Sequence, residues 1–296
     1  MTARGPQFAW LAIVALCLAS CSARNESTIV VGSKNFTEQV ILGEILAQHL
    51  EAETGAPVDR RFYLGGTYIA HQALLAGRID VYVEYTGTAL TAVLKQPVVS
   101  DPRAAYEKVH AGYAAQFNLE VGPPLGFENT FAIVVRGEDA RRLELRTLSD
   151  LARQARGLRP AFGYEFMERP DGFPGLAKAY GLEFAASPRI MDLGLLYRSL
   201  TEEQVDVVAG NSTDGPITAL DLLVLEDDRR YFPPYEAVPV TRAETLGRFQ
   251  MMRPALEQLR GRIDASQMRR MNHAVDGERR NVADVAREFL QQLHEN

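Results

Sequence analysis

Short β-branched runs separated by segments of helical spacing constrain this chain more than any single motif does. Residues 28–32, Thr-Ile-Val-Val-Gly, read as a buried strand, and 37–53 carry Val40, Ile41, Ile45, Leu46 and Leu50 on one helical stripe with Thr37 as N-cap. Strands at 58–64 and 79–85 follow, with a helix over 68–76 between them and helices over 88–94 and 102–117 after them. A second block has strands at 131–135, 160–164 and 205–209 and helices over 148–155, 175–180 and 195–203. After Pro233-Pro234, residues 237–240 read as a strand and the remainder as amphipathic helices to Leu293. This alternation predicts an α/β fold with mostly parallel sheets. Two such units predict a bilobal protein, with lobe 1 formed by 28–128 plus 236–296 and lobe 2 by 129–235. Open sheets of this kind bind ligands beyond the carboxyl ends of their strands, so the cleft between the lobes is the expected site.

The N-terminus carries a different kind of signal. MTAR is followed by an apolar run over 8–18, which is too short for an ordinary membrane span and reads as a secretory leader. Leu18-Ala19-Ser20-Cys21 resembles the bacterial lipobox, which implies a signal peptide over 1–20, lipidation at Cys21 and a tether over 21–27. Cys17 lies within the leader, so cleavage leaves one acylated cysteine and no disulfide. The expected product is exported and held at the membrane by its lipid.

Other classes of function lack support. The formal charge is −6 and the arginines are interspersed with acids, which argues against nucleic-acid binding. The five histidines are dispersed without ligand spacing, so no metal is expected. Gly65-Gly66-Thr67 lacks the lysine of a phosphate loop, and no Gly-x-Ser-x-Gly elbow occurs. No cofactor and no catalysis are expected.

Alternation through 79–85 places Ile79, Val81, Val83 and Tyr85 on one face, so Tyr85 ends its row at the carboxyl edge, where a ligand is presented. Gly87 permits a close turn, and Thr86 or Thr88 is positioned to cap the next helix. Here six motifs occur in order: Gly32-Ser33-Lys34-Asn35-Phe36-Thr37-Glu38, Tyr85-Thr86-Gly87-Thr88, Asn129-Thr130-Phe131, Glu168-Arg169-Pro170-Asp171-Gly172, Ser212-Thr213-Asp214-Gly215 and Phe232-Pro233-Pro234-Tyr235. Over residues 28–293 the chain thereby resembles the substrate-binding proteins of ABC importers for glycine betaine, choline, carnitine and related osmoprotectants.

The resemblance implies a type II periplasmic-binding-protein fold, a monomer that closes over a small zwitterion or quaternary amine and delivers it to a permease. A trimethylammonium group has no N–H to donate, so aromatic faces hold it, each ring contributing roughly 0.5–2 kcal/mol when desolvated. The matching ring positions are Tyr85, Phe131, Asn211 and Tyr235. Two depart from the common pattern: Phe131 lacks a hydroxyl, and Asn211 replaces a ring with an amide. The missing ring is expected to weaken trimethylammonium binding by roughly 1–2 kcal/mol and to favour a solute with a polar group there. Lys34 and Arg169 match positions that hold the solute's carboxylate, Thr88 supplies a hydroxyl, and Asn129 and Asp214 sit at the pocket edges. The alternatives are a polar amino acid or a histidine-derived betaine as cargo, or an exported dehydratase using Glu128, Glu165 or Asp214 as general acid.

Overall fold

The computed structural model describes residues 27–295; the leader, Cys21 and nearly all of the tether lie outside them. Two five-stranded sheets organise the chain. The first has the order β2-β1-β3-β10-β4, from β1 (Ile29–Gly32), β2 (Val58–Arg61), β3 (Val81–Tyr85), β4 (Leu119–Val121) and β10 (Ala237–Arg242). The second has the order β7-β6-β8-β5-β9, from β5 (Phe131–Arg136), β6 (Pro160–Phe162), β7 (Arg189–Ile190), β8 (Val207–Asn211) and β9 (Leu222–Val224). The bilobal α/β architecture is as expected, but the sheets are mixed rather than mostly parallel. β10 runs antiparallel to both β3 and β4, and β5 to both β8 and β9. The reason is topological. β5 and β10 are the strands that enter each sheet from the crossover, at the edge where β3 and β8 end, so they run in the opposite direction.

The two crossing segments are joined side by side. Glu128 and Glu236 form an antiparallel bridge, and the Asn129 N–H donates to the Tyr235 carbonyl at 3.0 Å. Asn129 and Tyr235 are therefore fixed next to each other where the chain passes between lobes.

Each sheet is covered on both faces. On one side of the first, Val81, Val83 and Tyr85 pack with Ile41, Ile45 and Leu46 of helix Thr37–Thr54 and with Met268 and Phe289 of the C-terminal helices. On the other, Tyr82 packs with Leu74, Leu90 and Tyr113. Ile79 belongs to this second cluster, not to the Tyr85 row, because the strand begins only at Val81. The second sheet is buried in the same way, with Ile133 and Val135 on one side and Ala132 and Val134 on the other.

Two expected caps are absent because their hydroxyls are engaged elsewhere. Helix Thr37–Thr54 begins after Phe36 with no side-chain cap, and the Thr37 hydroxyl donates to Asp276 Oδ1 of helix Ala265–Asp276 at 2.6 Å. Thr86 donates to the Pro234 carbonyl and accepts from Glu236 N–H, each at 3.1 Å, so it ties the end of β3 to the crossover. Thr86–Thr88 form a single turn that widens into the π-helix Ala89–Val93. Among the described residues, no helix is long and apolar enough to cross a membrane.

Candidate functional site

Tyr85, 4% exposed, ends β3, and Gly87 lies two residues on in the helical turn Thr86–Thr88. A Cβ on Gly87 would lie 2.7 Å from the Pro234 carbonyl oxygen and 2.7 Å from the Tyr235 ring. The glycine thus lets Tyr235, arriving from the crossover, pack directly beneath the Tyr85 turn. Gly87→Ala is expected to cost about 1–3 kcal/mol, since the carbonyl cannot yield, and to weaken solute binding several-fold by displacing Tyr235. Thermal unfolding and titration of the variant check both; unchanged values in both would contradict this packing.

A narrow cavity of about 50 Å³ lies between the sheets. Tyr85, Phe131, Tyr235, Phe36 and Phe166 bring rings to its wall from both lobes and the crossover. Phe36 and Tyr85 are stacked with centroids 6.5 Å apart, and Phe131 meets Phe166 and Tyr235 edge-on at 4.8 and 5.8 Å. Phe131 and Asn211 are register partners across the β5–β8 ladder, so the amide stands beside the ring on the same face. The Asn211 amide donates to Asp214 Oδ1 at 3.3 Å.

Both predicted cations reach this cavity, and each has a carboxylate partner within the protein. Lys34 Nζ, 2% exposed, lies 2.5 Å from Glu84 Oε1 and 2.9 Å from the Thr67 hydroxyl, and 5.1 Å from the Tyr85 ring centroid. Arg169 donates through Nε and Nη2 to Asp171, at 3.0 and 2.5 Å, while Nη1 has no hydrogen-bond partner among the described residues. Its guanidinium lies over Phe131 at 4.8 Å. Tyr235 completes the cluster, donating from its hydroxyl to Asp171 Oδ2 at 2.7 Å. Burial opposes ionisation of Asp171, but the Arg169 guanidinium prevails and holds its carboxyl below the usual range. Burial and the neighbouring Asp171 push the Tyr235 phenol up, so it stays protonated at neutral pH.

Two carboxylates connect the lobes: Glu38, to which the sequence reading gave no role, and Glu165, which it named only as a possible general acid. Glu38, in the first turn of helix Thr37–Thr54, accepts from Tyr85, Asn129, Thr213 and Asn272. In sequence it reads only as an acid complementing a helix dipole. Glu165 follows β6 and accepts from the Thr67 N–H, so it sits at the start of helix Thr67–Leu75 in the opposite lobe. Gly66 leaves room for this approach, since a Cβ there would strike the Glu165 carboxylate. With these contacts the lobes meet around the cavity. Glu84 and Asp171 each pair with one of the two cations, and Glu165 adds a third carboxylate on the cavity wall, a balance that favours a positively charged group inside.

Of the nine predicted residues, Lys34, Tyr85, Thr88, Asn129, Phe131, Arg169, Asn211 and Tyr235 line the one cavity. Asp214 lines an adjoining chamber that shares Phe36, Leu193 and Asn211 with it. There Asp214 accepts from the Tyr197 hydroxyl at 2.7 Å and from Asn211 N–H at 2.8 Å. Glu128, named as a possible acid, lines neither. Phe36 and Phe166 were not predicted as wall residues, although both fall within the quoted motifs or beside them.

Burial pushes the Asp214 carboxyl up to about 6 from its ordinary 3.8. The folded form thus holds this proton more tightly than the unfolded chain. The resulting stabilisation is complete below about pH 4 and is lost as pH rises through about 6. Asp214→Asn lacks this titration, so the stability of the wild type relative to the variant is expected to fall between those values and then level off. Urea unfolding of both proteins across this range checks it, and a pH-independent difference would contradict it.

Comparison with known proteins places these features in context. The family model for the substrate binding domain of ABC-type glycine betaine transport systems matches residues 27–292. The chain is 35% identical over 283 residues to the carnitine transport binding protein OpuCC of Listeria monocytogenes, covering 93% of this chain and 92% of that protein. It is 37% identical over 280 residues to the ergothioneine transport permease/ergothioneine binding protein EgtU of Helicobacter pylori, covering 94% of this chain and 50% of that protein. A solved structure described as a glycine betaine/carnitine/choline ABC transporter superposes with a TM-score of 0.74 at 36% identity, over 90% of this chain and 98% of that one.

Proposed function

The chain belongs to the family of substrate-binding domains of ABC-type glycine betaine transport systems, and from that premise we propose how its cavity selects and holds a solute. It is a substrate-binding protein of glycine betaine/carnitine-type transport and works with a membrane permease. The solute is a quaternary-ammonium or betaine-type compound. Its ammonium pole lies among the Tyr85, Phe131 and Tyr235 rings, where dispersion and the negative ring faces hold a group that cannot donate a hydrogen bond. Its anionic pole, where present, is received by Arg169 Nη1 and the Thr88 hydroxyl, while Asp171 holds the guanidinium in place. Lys34 contributes positive potential from its pairing with Glu84. Asn211 and Asp214 set the polarity of the wall that lacks a ring.

Closure is a population shift. The open form is in equilibrium with the closed one, and a solute touching both lobes stabilises the latter. The lobes divide as 28–128 plus 236–296 and 129–235, and the chain is a monomer without catalysis. Glu165, on the cavity wall, and Asp214, in the adjoining chamber, are each engaged in hydrogen bonds within the protein. The lipobox at 18–21 supports export and anchoring through Cys21, outside the cytoplasm.

The observation that carries this reading is the convergence of three rings, from β3, β5 and the crossover, on one cavity with Arg169. Calorimetric titration of the folded protein with glycine betaine, carnitine and choline is expected to give saturable binding for at least one. No heat with any of them would sink the proposal. A bulkier histidine-derived betaine is a second reading, favoured by the chamber adjoining Asn211 and by the similarity to an ergothioneine-binding protein. Mass spectrometry of solute carried through purification separates the two.

A further inference from the structure

We propose that Glu38 is a positioning residue that locks the Asn129 amide with its carbonyl oxygen free for the solute, so that the cavity favours quaternary amines that also carry a hydrogen-bond donor. The inference rests on the cavity being the solute site, and it adds a chemical requirement to that reading.

Glu38 is 2% exposed and lies where the lobes meet. Its Oε1 accepts from the Tyr85 hydroxyl at 2.5 Å and from Asn129 Nδ2 at 2.7 Å. Its Oε2 accepts from the Thr213 hydroxyl and from Asn272 Nδ2 at 3.2 Å. Burial pushes the Glu38 carboxyl up, and the four donors aimed at its two oxygens oppose that shift. Both asparagines present their NH₂ groups to Glu38. Their carbonyl oxygens are turned the other way, and both Oδ1 atoms are buried with no partner among the described residues. Asn129, 5% exposed, lines the solute cavity. A buried acceptor left unmet carries a penalty that a solute O–H or N–H relieves. Glycine betaine has neither group, and its N-methyl C–H groups are weak donors.

The test uses matched solutes that differ by one hydroxyl: carnitine against γ-butyrobetaine, and choline against propyltrimethylammonium. The wild type is expected to bind the hydroxylated member of at least one pair about fivefold tighter or more. Asn129→Ala should bring that ratio close to one. Glu38→Gln, whose amide both donates and accepts, releases the Asn129 amide to turn over and should narrow the ratio as well. A merely structural Glu38 would weaken both members alike and leave the ratio unchanged, which would overturn the positioning role. Equal binding within both pairs by the wild type would overturn the inference and spare the reading of the cavity. If none of the four solutes bound, the cavity reading would fall and the inference with it.

Discussion

Lys34→Met is expected to lower the free energy of unfolding by about 3–5 kcal/mol, because it leaves Glu84 as an uncompensated buried charge. Glu84 is 0% exposed, and after Lys34 its remaining donors are the Tyr82 hydroxyl at 3.0 Å and the Tyr85 N–H at 2.8 Å. Two neutral donors do not replace an ammonium 2.5 Å away. For a chain of this size the loss corresponds to a fall in Tm of roughly 10 °C. Adding Glu84→Gln to Lys34→Met removes the stranded charge and should restore much of the stability. The pair of variants also separates two roles for the lysine. If Lys34 served only as a clamp for a solute carboxylate, Lys34→Met would weaken zwitterion binding and leave urea unfolding unchanged.

Phe131→Ala is expected to reduce solute affinity by about ten- to a hundredfold. One desolvated cation–π contact accounts for roughly 1–2 kcal/mol of this. The remainder comes from Arg169, which lies over the same ring at 4.8 Å and loses its support when the ring is removed. Phe166 and Tyr235 also pack edge-on against Phe131, so the truncation loosens two further walls. Phe131→Tyr keeps the ring and is expected to bind within a few-fold of the wild type. A Phe131→Ala variant with wild-type affinity would show that the solute does not rest on this ring.

Much of the framework was legible because each element is written locally. The β-branched runs and helical stripes announced β1, β3 and β5 and helices Thr37–Thr54 and Pro102–Phe117, the latter capped by Asp101 through Ala104 N–H. Strand direction was not legible, because it depends on which lobe a strand enters after the crossover. The pairing of Phe131 with Asn211 is likewise non-local, and no spacing in the sequence announces it.

At the site, ring and cation positions were readable from short motifs, whereas their partners were not. Glu84 lies one position from Tyr85 on a strand, so alternation assigns it to the opposite face; its carboxylate nevertheless turns back to Lys34 and to the Tyr85 N–H. Glu38 appears in sequence as an ordinary first-turn acid, and its four donors come from residues 47 to 234 positions away. Such carboxylates become visible only when the fold brings distant donors together.

On the proposed reading, the cavity recognises the positive charge of a quaternary ammonium through ring faces. The most direct measurement compares choline with its uncharged isostere 3,3-dimethylbutanol, in which carbon replaces nitrogen and shape is kept. Ring recognition predicts that choline binds at least about tenfold tighter, from contacts worth roughly 0.5–2 kcal/mol per ring. Equal affinity for the two, or tighter binding of the neutral compound, would contradict it.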